Sequence, residues 1–302
     1  MKKTVVVFVH GLFSSGKTWR KMQDLLAVDP ELEGLNLLNF TYDSPKLNIN
    51  PLRKIPDFDV LAASLQTCLE TEAADHSCVI LVSHSQGGLI VQRYLARMVL
   101  RARATELARI RKVVMFACPN AGSDMFLGVR RLLLRCHPHV NALRPINAAV
   151  SEAQAVILER IVFTKEMSDH QYPVQVRAYG CERDRIVKPG SALWVFPNTG
   201  MLKGGHSSII KPKTPRDRSY LALKHDIVTA VAAPPLKEEP NAIPDSLKRA
   251  DAIAPGNTIQ SAEAAAEMLA ARMDPESNRV RLELSPETFL FLARKIVEEP
   301  PR

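Results

Sequence analysis

Six short apolar runs, each set beside a stretch with helical spacing, constrain this chain more than any other feature. TVVVFV (4–9), LNLLNF (35–40), CVILVS (78–83), KVVMFA (112–117), VQVRAY (174–179) and ALWVF (192–196) read as buried strands. They are apolar almost throughout instead of alternating, the pattern of parallel strands covered on both faces. Helical patterns fall between them, at about 17–27, 57–74, 86–103 and 216–232. Strand and helix alternating at this spacing specify a doubly wound α/β fold with a mostly parallel sheet of about six strands.

Two segments break that rhythm. Residues 121–170 separate two strands by more than a crossover needs and read as a helical lid insert, with DMFLGVRRLLLRCHPH and NAAVSEAQAVILERIVF inside it. Residues 234–302 hold nine of the 21 prolines and carry nine Lys/Arg against twelve Asp/Glu, so a net charge of −3 follows a body of +11. The expected organisation is a core domain over 1–233, a Pro-rich linker over 234–256 and a small accessory α/β segment over 257–302. In that last segment Ser285 and Pro286 provide a helix start signal.

The strongest chemical signal is VILVSHSQGGL (79–89), where a buried strand ends at Ser83-His84-Ser85-Gln86-Gly87 and runs straight into a helical pattern. This is the G-x-S-x-G nucleophile elbow with serine in its first position. Small residues two before and two after the nucleophile let neighbouring backbones close on the strained turn. Ser85 would then stand above the sheet, with the first amides of the following helix aimed at a developing oxyanion.

A serine hydroxyl needs a base, and the base needs an orienting group. In this class of site the chain order is serine, acid, histidine. CERDRIVKPGSA follows a strand and offers Asp184, with Glu182 as the rival acid. GGHSSIIKP offers His206 in a Gly-rich loop before the final core helix. The other histidines fit less well. His84 adjoins the serine with a diverging side chain, His10 buttresses the opening loop, His137, His139 and His170 lie in the insert, and His76 and His225 belong to no motif.

FVHGLFSSGKTW (8–19) contains Gly11-x-x-x-x-Gly16-Lys17-Thr18, which matches the phosphate-binding loop of nucleotide hydrolases. That chemistry also needs a second strand ending in an acid for magnesium, and none of the six runs ends so. The same loop suits a second oxyanion donor instead. Gly11 permits a close turn, and the backbone amide of Leu12, or else of Phe13, would face the tetrahedral intermediate opposite the amide of Gln86. A nucleotide-binding role is the lesser alternative, and so is a catalytically silent hydrolase scaffold.

As an ordered set, VFVHGLFSSGKTW, FTYDSP, LVSHSQGGLIVQRYL, FACPNAGS, YGCERDRIV and GHSSIIKPKTPRDRSYLAL resemble the lipase-like α/β-hydrolases related to GPI inositol-deacylases and serine-active-site domain hydrolases. The likeness spans about 1–233, and Ser83 stands where that group usually has glycine. It implies an α/β-hydrolase fold, a catalytic set of Ser85, Asp184 and His206 and backbone donors at Leu12 and Gln86. It further implies a carboxylic ester hydrolase acting on acyl or lipid esters, with neither cofactor nor metal.

The five cysteines show no C-x-x-C spacing and an odd total, as expected of free thiols in a reducing compartment. MKKTVVVFV imitates a secretory leader, but its apolar stretch is short and no small-x-small site follows, so it reads as a first strand. A cytoplasmic protein is expected. The net charge of +8 gathers in Arg93, Arg97, Arg101, Arg103, Arg109, Arg111 and Lys112, and again in Arg130, Arg131, Arg135 and Arg144 of the insert. Such a segment suits peripheral contact with an anionic membrane. The favoured reading leaves the arginines facing water while Leu132 to Leu134 seal the pocket. Nucleic acid is not expected as a partner.

Overall fold

The structure is a computed structural model. It describes residues 3–11, 14–42, 58–120, 153–184, 186–187, 193, 195–234 and 236, all within the first of the two units into which the chain divides, Met1–Glu238. Of the linker expected over 234–256 only residues 234 and 236 are described, and the accessory segment expected over 257–302 lies outside the described residues, as does most of the expected insert, 121–152.

Strands β1 (Thr4–Val9), β2 (Leu35–Phe40), β3 (Cys78–His84), β4 (Ile110–Phe116), β5 (Gln175–Cys181) and β6 (Thr199–Leu202) form one sheet in the order β2-β1-β3-β4-β5-β6. Every pairing is parallel. The long helices are α1 (Arg20–Ala27), α2 (Phe58–Thr71), α3 (Gln86–Leu100) and α4 (Arg218–Ala232).

The unbroken apolar runs follow from the two covered faces. Val5, Val7, Val9, Val79, Leu81, Val113 and Met115 point to the side packed by α2 and α3. Val6, Phe8, Ile80, Val82, Val114 and Phe116 point to the side packed by α1 and α4. Alternate side chains thus enter opposite cores, and both must be apolar. Trp19 and Phe8 are fully buried with ring centroids 5.1 Å apart, each side chain contributing roughly 2–3 kcal/mol of apolar burial.

Five expected strands form, and the sixth does not. In the run 192–196, Leu193 and Val195 lie in helical or turn backbone, and Phe196 is buried in the core as a loop residue. The edge strand is Thr199–Leu202 instead. Gly200 is needed there, because a Cβ would come within 2.8 Å of the Tyr179 ring.

The basic stretch around α3 is structural to a large degree. Arg93 holds Asp59 of α2 through two hydrogen bonds of 2.7 and 2.9 Å. Arg103 pairs with Glu70 and Glu106. Arg109 donates to the carbonyls of Leu69 and Ala73 at the end of α2, where a cation satisfies orphan carbonyls and complements the helix dipole. Lys112 forms a buried ion pair with Asp226, 2.7 Å apart. The arginines tie α2 to α3 and to the residues that follow it, and Lys112 ties α4 to β4; the insert arginines lie outside the described residues. Among the described residues no helix is long and apolar enough to cross a membrane, and Cys68, Cys78, Cys118 and Cys181 are free.

Candidate active site

The strand order reverses between β1 and its neighbours, and the loops leaving the carboxyl ends of β1, β3, β5 and β6 carry His10–Gly11, Ser85, Asp184 and His206. In open parallel sheets this end, at the switch point, is where ligands bind.

The elbow forms as its residues require. Ser85 has φ 53° and ψ −126°, a left-handed conformation that a non-glycine residue holds only under strain. Its amide donates to the Phe116 carbonyl at 3.0 Å, and the Ser85 carbonyl accepts from the Gly88 amide at 3.0 Å. Gly87 is demanded by close approach: a Cβ there would lie 2.6 Å from the carbonyl oxygens of both Val9 and His10. Ser83 fits the position usually given to glycine because it is fully buried and its hydroxyl donates to the Val114 carbonyl at 3.4 Å.

His206 lies between Ser85 and Asp184. Its Nε2 is 2.9 Å from Ser85 Oγ, and its Nδ1 is 2.9 Å from Asp184 Oδ2. A carboxylate only accepts, so Nδ1 carries the proton, and Nε2 offers its lone pair to the serine hydroxyl. Burial would raise the Asp184 carboxyl. The His206 hydrogen bond and charge, with the amides of Val187 and Ile186, outweigh it and hold the group below its ordinary value. Those amides donate to Oδ1 at 2.9 and 2.8 Å. The carboxylate is therefore fixed in orientation and in charge. Glu182, the rival acid, is exposed, and its amide pairs with the Leu202 carbonyl.

Of the two expected oxyanion donors, Gln86 supplies the first amide of α3, a helix-start N–H with no acceptor inside the helix. Leu12 and Phe13 lie outside the described residues. The loop ahead of them is braced by His10, whose Nδ1 donates to the Gly11 carbonyl at 2.9 Å. Tyr42 stacks on the His10 ring with centroids 4.1 Å apart and donates to the His10 carbonyl at 2.9 Å. The phosphate-loop-like residues Gly16–Trp19 form a 3₁₀ turn leading into α1, with Lys17 exposed and Trp19 buried.

One neighbour escaped the sequence reasoning. His84 does diverge from the serine hydroxyl, and its Nε2 meets the backbone carbonyl of His206 at 2.8 Å. The signal was the two-residue period of β3: His84 shares a face with Ile80 and Val82, the side on which the chain from β6 returns.

A family model described as alpha/beta hydrolase fold matches residues 4–115, from β1 almost to the end of β4. The fold is that of the α/β-hydrolases. Among solved structures, this chain is similar to a putative aryl esterase from Burkholderia cenocepacia, at 16% identity over 76% of this chain and 92% of that one, with a TM-score of 0.45. It is similar to a monoacylglycerol lipase of Paleococcus ferrophilus, at 17% identity over 75% and 94%, TM-score 0.45. A thioesterase of the prodiginine biosynthetic pathway in Streptomyces coelicolor follows at 15% over 74% and 86%, TM-score 0.44. No curated protein matches the sequence.

Proposed function

We propose that this α/β-hydrolase is a serine hydrolase of carboxylic esters, acting on acyl or lipid substrates through Ser85, His206 and Asp184. The observation that supports it is the unbroken chain of hydrogen bonds from the strained serine through His206 to a carboxylate held ionised. The resemblance to GPI inositol-deacylase-related enzymes is in keeping with an acyl or lipid ester as substrate.

In this mechanism the Ser85 hydroxyl attacks the ester carbonyl as its proton passes to His206 Nε2. Asp184 keeps Nδ1 protonated and stabilises the imidazolium that forms. The oxyanion is held by the amides of Gln86 and Leu12, each worth roughly 3 kcal/mol in the transition state. His206 then returns the proton to the leaving alcohol, and water repeats the sequence on the acyl-enzyme. Proton transfer, orientation and oxyanion binding all come from the chain itself.

Hydrolysis of a short p-nitrophenyl ester tests the proposal. Ser85→Ala is expected to remove turnover by on the order of 10⁶-fold and to abolish labelling by a fluorophosphonate, with an unchanged circular dichroism spectrum. Turnover retained in that variant, or a wild-type serine inert to the fluorophosphonate, overturns it.

A further inference from the structure

The base is carried on a turn whose own bonds close on either side of His206. Gly204 sits at φ 130° and Gly205 precedes the histidine. Local bonds tie the loop at its ends: Arg183 N–H to the Gly204 carbonyl at 3.0 Å, Gly205 N–H to Ser208 Oγ at 2.9 Å and Ile209 N–H to the Gly205 carbonyl at 3.2 Å. The bond at His206 itself comes from His84, across 122 positions of sequence.

His84 is suited to that bond. It is covalently joined to Ser85, so a contact from its side chain to His206 measures the gap between nucleophile and base directly. A carbonyl oxygen only accepts, so Nε2 of His84 carries a proton. Burial first, and then the charge of His206, depress its pKa to about 3. The groups that face it electrostatically are His206 and Asp184 from the two site loops, with Lys211 beyond them. A neutral ring matters here. The two imidazole centroids are 4.8 Å apart, and a permanent cation at His84 would oppose the charge His206 takes on during proton transfer. Gly11 closes the arrangement from the other side, since a Cβ there would lie 3.3 Å from His84 Nδ1 and 3.0 Å from Ser85 Cβ. The elbow, the base loop and the opening loop therefore meet on one ring.

We propose that His84 is a positioning residue for the base: its Nε2–H clamps the His206 carbonyl and sets the distance at which the His206 ring meets the Ser85 hydroxyl. The proposal rests on the reading of Ser85 and His206 given above, and it assigns the elbow histidine a task distinct from proton transfer. Misplacing a reacting group by about 1 Å costs on the order of 100-fold in rate, so the clamp should act on kcat and leave KM alone.

The test compares the wild-type full chain with His84→Phe, which keeps a ring without a donor, and His84→Gln, whose amide restores a donor at the Nε2 position. Two readouts are taken: kcat and KM on p-nitrophenyl butyrate, and solvent exchange of the His206 Nδ1 proton by NMR of histidine-labelled protein. His84→Phe is expected to lose about 100-fold in kcat with KM unchanged and to exchange the Nδ1 proton faster. His84→Gln should recover most of both. His84→Leu carries the same comparison should the Phe variant not fold. Donorless variants matching wild type in kcat and in exchange overturn the proposal. A wild type that protects the Nδ1 proton yet hydrolyses no ester overturns the esterase reading instead, and the exchange comparison still decides the role of His84.

Discussion

Burial of His84 makes the stability of this protein depend on pH in a way that one substitution should remove. The unfolded chain protonates this residue near 6.5, whereas the folded protein does so only near about 3, because burial and then the charge of His206 disfavour the cation. Between those values the unfolded state binds more protons, so stability rises with pH. The contribution is complete above 6.5 and is lost as pH falls towards the folded value. Integrated from pH 7 to pH 5, the loss from this one group is about 2 kcal/mol. His84→Phe removes the titration but also the donor to the His206 carbonyl, an offset of about 1 kcal/mol that does not vary with pH. The variant is thus expected to be the less stable protein at pH 7 and to draw level with or pass the wild type at pH 5. His10, whose pKa burial also lowers, tilts both proteins alike and cancels. Urea titrations followed by tryptophan fluorescence at the two pH values measure the difference directly. A gap between the proteins that is the same at pH 7 and pH 5 would refute the account, since it would mean that His84 titrates alike in both states.

Two further substitutions probe the fold around the site. Ser85→Gly removes the side chain from a φ of 53° and is expected to gain about 1 kcal/mol after the extra chain entropy of glycine is subtracted, while ester hydrolysis is lost; a destabilised variant in thermal unfolding would argue that the elbow is not strained. Lys112→Met leaves Asp226 buried with only its Tyr179 hydrogen bond, and chemical denaturation should register a loss of about 3 kcal/mol, whereas a loss under about 1 kcal/mol would mean that water reaches the carboxylate.

Much of the framework was legible in the sequence because it depends on local pattern. Five strands carried apolar runs bounded by turns, and the elbow brought its own strand, small residues and helix. The positions of Ser85, Asp184 and His206 could be proposed from motif and chain order. Their hydrogen bonds could not, since these depend on β5 and β6 lying beside β4. The edge strand was misplaced for a physical reason: Val195 and Phe196 are apolar because they pack on the core without joining the sheet, while Thr199–Leu202 is held by pairing with β5 and by the space Gly200 leaves for Tyr179. The basic segment was likewise ambiguous, because charge counts do not reveal that Asp59, Glu70 and Asp226 wait across the fold. The clamp from His84 to a backbone carbonyl leaves no trace in residue type at the receiving end.

His206 follows Ser85 by 121 positions and hangs from the last and shortest strand among the described residues. A ribosome therefore releases Ser85 before the imidazole that meets it has been made. Throughout that interval the growing polypeptide carries the Ser85 hydroxyl without its hydrogen bond to His206.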